Sequence, residues 1–279
     1  MDKKNSANEW KRHKIQTLWA LFTNSYLAGF IQGKIYRGSL KNLCVPGLNC
    51  YSCPGAIGAC PIGAIQAVIG SWNFKFVFYV AGFLMFAGAV MGRFVCGWLC
   101  PFGLIQDLLH KIPFPKKITT FRGDKLLRKL KYIVLVLFVI LLPMFLVDIL
   151  GQGAPYFCKF ICPAGTLEGG IPMVLLNKSM HSAIGWLYAW KNLLLAVTIF
   201  LSIIIYRPFC KYICPLGAIY SVFNPVSVFR YRVDRDKCTH CRTCAKVCKM
   251  QVNPLENAND LECIRCGACK KSCPAKAIH

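Results

Sequence analysis

The cysteines of this chain are the residues whose type and spacing predict chemistry, and there are 18 of them among 279 residues. Two runs near the C-terminal end, at 238–248 and 263–273, share the spacing C-x2-C-x2-C-x3-C. In two-cluster ferredoxins this spacing binds 4Fe-4S clusters, and the fourth cysteine of each run binds the cluster of the other run. We therefore predict two clusters, one held by Cys238, Cys241, Cys244 and Cys273 and the other by Cys263, Cys266, Cys269 and Cys248.

The alternative for these eight cysteines is a pair of zinc ribbons. Zinc ribbons use two CxxC pairs separated by a longer loop, and runs that begin with three cysteines fit that pattern poorly. Lys249 stands where a proline usually follows the first run, whereas Pro274 follows the second. This departure leaves every cysteine in place, so the cluster interpretation is favoured.

The other ten cysteines include a repeated motif, CxxxCPxG. Three copies begin at Cys96, Cys158 and Cys210, and a partial copy at Cys60 follows three further cysteines, Cys44, Cys50 and Cys53. The repetition indicates an internal duplication. Proline is favoured in the first turn of a helix, so each motif predicts a short helix whose positively polarised N-terminus faces an anionic cluster.

Alignment of the two halves predicts two membrane clusters of four thiolates each. The inner cluster is assigned to Cys96, Cys100, Cys210 and Cys214, and the outer cluster to Cys53, Cys60, Cys158 and Cys162. Cys44 and Cys50 are alternative ligands of the outer cluster or partners in a disulfide. A cluster held by the 44–60 cysteines alone would leave Cys158 and Cys162 without a role, and small packing residues are the remaining alternative for all ten.

The composition favours an integral membrane protein, with 56% hydrophobic and 16% charged residues and a mean hydropathy of +0.46. Four apolar stretches approach the roughly 20 residues that a transmembrane helix needs: 15–32, 74–92, 132–150 and 186–206. A buried helix is the alternative for the first. Trp72, Trp186 and Trp190 fall where interfacial aromatic residues are expected.

The basic residues indicate an orientation for these spans. Of the 34 Lys and Arg residues, 27 lie in the two terminal segments and the 93–131 loop, which predicts cytoplasmic N- and C-termini. The formal net charge of +23 is therefore mainly a topology signal, and nucleic-acid binding is not expected because no reading element accompanies it.

The expected fold is an all-α polytopic membrane domain with four transmembrane helices, an internal two-fold repeat and short re-entrant CPxG helices, followed by a small α+β ferredoxin domain with two 4Fe-4S clusters. The predicted segments are a basic N-terminus (1–14), a first membrane repeat (15–112), a basic cytoplasmic linker (113–131), a second membrane repeat (132–222) and the ferredoxin domain (223–279).

Four charged residues lie in or near the predicted spans. Lys75 and Lys191 stand at equivalent places and are candidates for contact with a quinone carbonyl or a cluster, although snorkelling to the interface is the favoured alternative. Asp148 and Glu168 are candidates for proton transfer from quinol, with interfacial placement favoured instead.

The CxxxCP motifs at Cys96/Cys100 and Cys210/Cys214, with the tandem ferredoxin runs, resemble the membrane-bound polyferredoxins. These include the quinol dehydrogenase subunit of periplasmic nitrate reductase and the membrane half of the nitrous-oxide reductase accessory protein. The resemblance implies a protein of a bacterial or archaeal cytoplasmic membrane that transfers electrons between a cytoplasmic donor or the quinone pool and an extracytoplasmic or membrane partner. It implies four 4Fe-4S clusters, a possible quinone, lipid contacts and a redox partner on each side.

The outer cysteine set and Cys158/Cys162 depart from the family pattern and favour an electron path with a cluster near each face. The chain is then a subunit of a membrane oxidoreductase and a candidate quinol dehydrogenase, and no bond-making residues of its own are predicted. The alternative is a membrane redox sensor or a maturation or regulatory factor for a respiratory reductase. A zinc-binding membrane scaffold is the third class.

Overall fold

The computed structural model describes residues 3–71, 74–148 and 152–279, and this part of the chain is helical. Its helices are α1 (Lys3–Thr23), α2 (Leu27–Gln32), α3 (Pro61–Gly70), α4 (Phe74–Met91), α5 (Phe94–Trp98), α6 (Pro101–Lys111), α7 (Asp124–Leu127), α8 (Leu130–Val134), α9 (Leu142–Phe145), α10 (Tyr156–Phe160), α11 (Pro163–Gly165), α12 (Ile171–Leu176), α13 (Trp186–Ile204), α14 (Pro208–Tyr212), α15 (Pro215–Phe223), α16 (Thr243–Lys246) and α17 (Ala268–Ser272). Two π-helical segments, Leu135–Leu141 and Thr166–Gly170, follow α8 and α11 directly.

The CPxG motifs begin four of these helices. In α3, α6, α11 and α15 the cysteine is the N-cap and the proline is the first helical residue. Proline fits there because its fixed φ suits the helix and the missing N–H has no intrahelical partner to lose. The motif therefore places one thiol at the N-terminus of each helix.

The expectation of four transmembrane helices is wrong. Among the described residues only α13 is long and apolar enough to cross a membrane, with a mean hydropathy of 1.8 over its most apolar window. Without the other three spans, the predicted multi-pass topology has no support. The cytoplasmic placement of both termini was derived from that topology, so it loses its support as well.

Local interruptions explain why two of the apolar stretches do not form long helices. The first breaks after Thr23, whose hydroxyl donates to the Trp19 carbonyl, while the Asn24 side-chain amide donates to the Ala20 carbonyl. The third passes from α8 into a π-helical segment and ends at Phe145, and its predicted end at residue 150 lies outside the described residues.

The expectation of an α+β ferredoxin domain is also wrong. Strand pairing in the described residues is limited to isolated bridges, and residues 223–279 have one, between Val233 and Ile278. The backbone around the cysteine runs turns repeatedly through left-handed conformations, which extended strands do not allow. The non-glycine residues of this segment with positive φ are His240, Arg242, Gln251, Arg265 and Lys276.

The C-terminal segment packs directly against α5. The backbone of Gly97 approaches so closely that an added Cβ would lie 2.2 Å from the Ile264 carbonyl oxygen. The Trp98 indole donates to the Arg265 carbonyl at 3.0 Å, and the Arg265 guanidinium donates to the Met91 carbonyl at 2.8 Å. The two ferredoxin-type cysteine runs are therefore held against the helical part of the chain and not merely tethered to it.

This close approach predicts that Gly97→Ala destabilises the protein by about 1–3 kcal/mol, because overpacking forces the backbone apart. Gly82→Ala in α4 is the matched control, since an added Cβ there meets nothing within 4 Å. The control should be neutral or stabilising by up to about 1 kcal/mol. Thermal unfolding followed by circular dichroism measures both, and equal midpoints for the two variants would contradict the docked arrangement.

Candidate functional site

The cysteines of the two C-terminal runs line two separate cavities. Cys248 shares one cavity, here called the proximal pocket, with Cys263, Cys266 and Cys269. Cys273 shares the other, the distal pocket, with Cys238, Cys241 and Cys244. Each fourth cysteine thus lies with the three cysteines of the other run, which is the arrangement that the spacing predicts.

The two pockets differ in exposure. Burial raises the pKa of Cys263 in the proximal pocket to about 12. In the distal pocket Cys241 is exposed, and hydrogen bonds from the Thr243 hydroxyl and backbone lower its pKa to about 7. The distal pocket is therefore the one that a soluble molecule can approach.

A third group of thiols, here called the central site, comprises Cys96, Cys100, Cys210 and Cys214. All four are buried. Burial and then the neighbouring thiols of the same group raise the pKa of Cys100 and of Cys214. The structure thus brings together the four cysteines assigned to the inner cluster.

Two buried arginines cross-link the central site. Arg207 donates to the Cys96 carbonyl at 2.6 Å, and Arg93 donates to the Cys210 carbonyl at 3.3 Å. Each arginine stands three residues before the first cysteine of its own motif and binds the carbonyl of the other motif. The two motifs are therefore fixed against each other around the thiols.

Each arginine is paired with a buried carboxylate. Arg207 binds Asp107 at 2.5 Å and Arg93 binds Glu262 at 2.7 Å. Burial alone would raise the pKa of Asp107, but Arg207 and Arg12 hold it well below its usual range. These paired carboxylates compensate the buried guanidinium charges, which could not otherwise be accommodated away from water.

A fourth group, here called the remote site, comprises Cys50, Cys60, Cys158 and Cys162. An added Cβ at Gly165 would lie 3.7 Å from the Cys50 sulfur and 3.9 Å from the Cys162 sulfur. One at Gly63 would lie 3.9 Å from the Cys158 sulfur and 4.0 Å from the Cys60 Cβ. The four side chains therefore border one small space that is kept open by glycines.

Cys53 and Cys44 are placed differently. The pKa of Cys53 is raised by burial and lowered by the backbone N–H groups of Gly55 and Ala56. Cys44 has Cys60 as its neighbouring thiol, and burial raises its pKa to about 11. The structure thus groups Cys50, one of the two alternatives, with Cys60, Cys158 and Cys162.

The central and remote sites are neighbours. An added Cβ at Gly47 would lie 3.2 Å from the Cys100 Cα, and the buried Tyr220 hydroxyl donates to the Pro46 carbonyl at 2.9 Å. The 44–60 loop therefore packs on the CxxxCP motif at Cys96/Cys100. This contact corrects the expectation that the two lie at opposite faces of a membrane.

No three His, Cys, Asp or Glu side chains within residues 3–71, 74–148 and 152–279 are grouped so as to hold a metal ion directly. The four-thiol groups described above are identified from shared cavities and shared neighbours.

Two glutamines of the sites were missed by sequence reasoning. Gln106 donates to the Cys210 sulfur at 3.0 Å and accepts from the Phe209 N–H at 3.2 Å. Gln66 donates to the Cys158 sulfur at 3.3 Å and accepts from the Phe157 N–H at 2.9 Å. Each glutamine stands six residues after the cysteine of CPIGAIQ or CPFGLIQ, so aligning the two segments would have found both.

The charged residues singled out from the sequence fall in different places. Lys191 donates to the Cys158 carbonyl at 3.1 Å. Glu168 accepts from the Cys50 N–H at 2.7 Å, and burial raises its pKa to about 7. Asp148 is exposed, and the Lys75 side chain and Trp72 lie outside the described residues.

Comparison with known proteins identifies the family. A 4Fe-4S binding domain model matches residues 74–122 and 188–233, and two further 4Fe-4S binding domain models match 232–253 and 259–279. An uncharacterized protein of Methanocaldococcus jannaschii is 32% identical over 68% of this chain and 72% of its own length. The chain belongs to the polyferredoxins that resemble NapH and NosR.

Named relatives of this polyferredoxin differ in length. The ferredoxin-type protein NapH of Haemophilus influenzae is 26% identical over 96% of this chain and 87% of its own length. The regulatory protein NosR of Stutzerimonas stutzeri is 30% identical over 70% of this chain, which spans only 24% of NosR. The chain also spans less than two thirds, 64%, of a second Methanocaldococcus jannaschii protein. No solved structure gives a significant match.

The matched domains cover only part of the cysteines of this polyferredoxin. The central site and both C-terminal pockets lie within the matched segments, whereas residues 44–60 and 158–162 lie outside them. The thiols of the remote site, like Cys44 and Cys53, therefore lie outside the segments that the family models match.

The buried ion pairs of the central site predict that Asp107→Asn is strongly destabilising. It leaves the guanidinium of Arg207 and that of Arg12 without their carboxylate, and breaking a buried pair costs about 3–5 kcal/mol. Asp234→Asn is the control, because its pair with Lys237 is at the surface. Thermal unfolding should show a large drop in midpoint for the first variant and little change for the second. Similar midpoints would show that the central pairs do not stabilise the fold.

Proposed function

We propose that this iron–sulfur electron-transfer protein moves electrons between a soluble partner at its distal pocket and a redox partner at or in a membrane, through the proximal pocket and the central site. Its 4Fe-4S domains and ferredoxin-type relatives support the electron-transfer part of this function. When bound, a 4Fe-4S cluster supplies a one-electron redox couple. The chain's own residues supply the thiolates, the order of the sites and the exclusion of water.

The observation that carries this proposal is the fixed contact between the proximal pocket and the central site. Arg93, which binds the Cys210 carbonyl, also binds Glu262, the residue next to Cys263. The Asn224 side-chain amide donates to the Cys263 carbonyl at 2.8 Å. One buried arginine thus binds the Cys210 carbonyl of the central site and the carboxylate next to Cys263 of the proximal pocket, which supports electron exchange between them without a moving carrier.

The charges of the distal pocket support an acidic soluble partner. Cys241 is exposed, and basic residues surround it in the sequence, whereas the proximal and central thiols are less accessible. Opposite charge steers association and raises the rate of encounter. We therefore place the soluble donor or acceptor at the distal pocket.

The partner at the other end is proposed to lie at or in a membrane, and an apolar cavity supports a quinone as that partner. The helix α13 supports membrane association by its length and composition. A wholly apolar cavity of about 250 Å³ is lined by residues of α3, α4, the π-helical segment and α15: Ile65, Val68, Ile69, Val80, Ala81, Leu135, Val139, Ile140 and Ile219. Such a cavity suits the isoprenoid tail of a quinone.

A regulatory function is the second candidate, because two relatives carry the name regulatory protein NosR. The two functions predict different rates of reoxidation of the reduced protein. A carrier, once chemically reduced, should be reoxidised by a short-chain quinone or by an acceptor fast enough for repeated turnover, whereas a sensor should not.

The proposed path predicts the effect of Cys210→Ser. This variant should lose about four irons per chain, the content of one cluster, and keep the electron paramagnetic resonance signals of the two ferredoxin-type clusters. Its reoxidation by a quinone should be slowed at least tenfold because the central site is interrupted. The control, Cys241→Ser, should lose a ferredoxin-type signal and keep quinone reoxidation. Unchanged iron content and unchanged reoxidation in Cys210→Ser would contradict the path.

A further inference from the structure

We propose that Cys50, Cys60, Cys158 and Cys162 bind a further 4Fe-4S cluster next to the central site. This remote cluster lies outside the segments that the 4Fe-4S domain models match. The inference deepens the proposed function, on which it rests for its role as one more step of the electron path.

The remote site repeats the hydrogen bonds of the central site. In each, a glutamine stands six residues after the cysteine of a CPxG motif. Its side-chain amide donates to the sulfur of the first cysteine of the opposing CxxxCP motif, and its side-chain oxygen accepts from the backbone N–H of the residue before that cysteine. In each, the last cysteine accepts a 3.4 Å hydrogen bond from the glycine N–H three residues later, Gly165 or Gly217. Cys60, Cys158 and Cys162 thus occupy the places of Cys100, Cys210 and Cys214.

The fourth place, held by Cys96 in the central site, is filled by Cys50. The Cys50 N–H donates to the buried carboxylate of Glu168, which fixes the backbone of the loop at that residue. Its sulfur lies 3.7 Å from an added Cβ at Gly165 and 3.2 Å from one at Gly169. Cys50 and Cys53, three residues apart, both lie near the ammonium group of Lys41, so Cys50 is distinguished by its contacts with Gly165 and Gly169.

Glycines keep the space between these thiols open. Side chains at Gly63, Gly165 or Gly169 would enter the region that the four sulfurs border. At the central site, an added Cβ at Gly103 would instead lie 3.2 Å from the Arg207 guanidinium. The glycine of the CPxG motif therefore leaves room for the Arg207 guanidinium at the central site. At the remote site it leaves room between the sulfurs.

A cation accompanies each site. At the remote site Lys191 donates to the Cys158 carbonyl, the same backbone position that Arg93 binds in Cys210 of the central site. The Lys191 ammonium also lies 4.0 Å from an added Cβ at Gly165, beside the Cys50 and Cys162 sulfurs. Thiolates held away from water need such nearby positive charge. This contact gives Lys191 a role other than snorkelling.

The experiment that tests the remote cluster compares two neighbouring thiols of one loop, those of Cys50 and Cys53. The full-length protein and its Cys50→Ser and Cys53→Ser variants are purified anaerobically, and iron and acid-labile sulfide are counted. The unaltered protein and Cys53→Ser should each hold about sixteen irons per chain, and Cys50→Ser about twelve. Cys158→Ser, from the opposing motif, should also hold about twelve and should keep the ferredoxin-type signals.

The outcomes separate this proposal from the function on which it rests. About twelve irons in the unaltered protein, falling to about eight in Cys210→Ser, would overturn the remote cluster and leave the proposed electron path standing. Loss of iron in Cys53→Ser but not in Cys50→Ser would overturn the ligand assignment. If a variant unfolds, circular dichroism shows it, and the count for the unaltered protein still decides whether a fourth cluster is present.

Discussion

The structure depends on how it holds sulfur ligands in places that water does not reach. Thiolates are costly to bury without donors or positive charge, and four of them in one place repel one another. Arg93 and Arg207 meet this constraint at the central site by binding each other's motif, and each is neutralised by a carboxylate on its other side. Truncating either carboxylate leaves a buried charge alone.

The same contacts explain how the C-terminal segment and α1 are positioned against the central site. Glu262 comes from the C-terminal segment, so the charge balance of Arg93 requires the ferredoxin-type runs to dock. Asp107 also binds Arg12 of α1, which brings the N-terminal helix onto the same site. On α1, Asn8 donates to the Cys266 carbonyl, so this helix reaches the proximal pocket as well. One network of ion pairs and hydrogen bonds thus both compensates the buried charges and fixes the order of the redox sites.

Much of the site could be predicted from spacing, because spacing alone determines which thiols can share a turn. The crossover of Cys248 and Cys273 and the four CPxG helices follow in this way. The spans could not be predicted by hydropathy, which registers apolar residues but not the breaks at Thr23 and Leu135–Leu141. The choice between Cys50 and Cys53 depends on a loop backbone fixed by Glu168, a contact of residues far apart in sequence.

The central claim is that the proximal pocket and the central site form one fixed pair. Electron paramagnetic resonance of the fully reduced protein tests this most directly, because paramagnetic clusters in adjacent sites broaden and split each other's signals. We predict that the proximal signal of the unaltered protein is broadened by the central cluster, and that in Cys210→Ser it narrows to the width set by the mutual interaction of the two ferredoxin-type clusters. Ferredoxin-type signals of the same width in the unaltered protein and in Cys210→Ser would contradict the account.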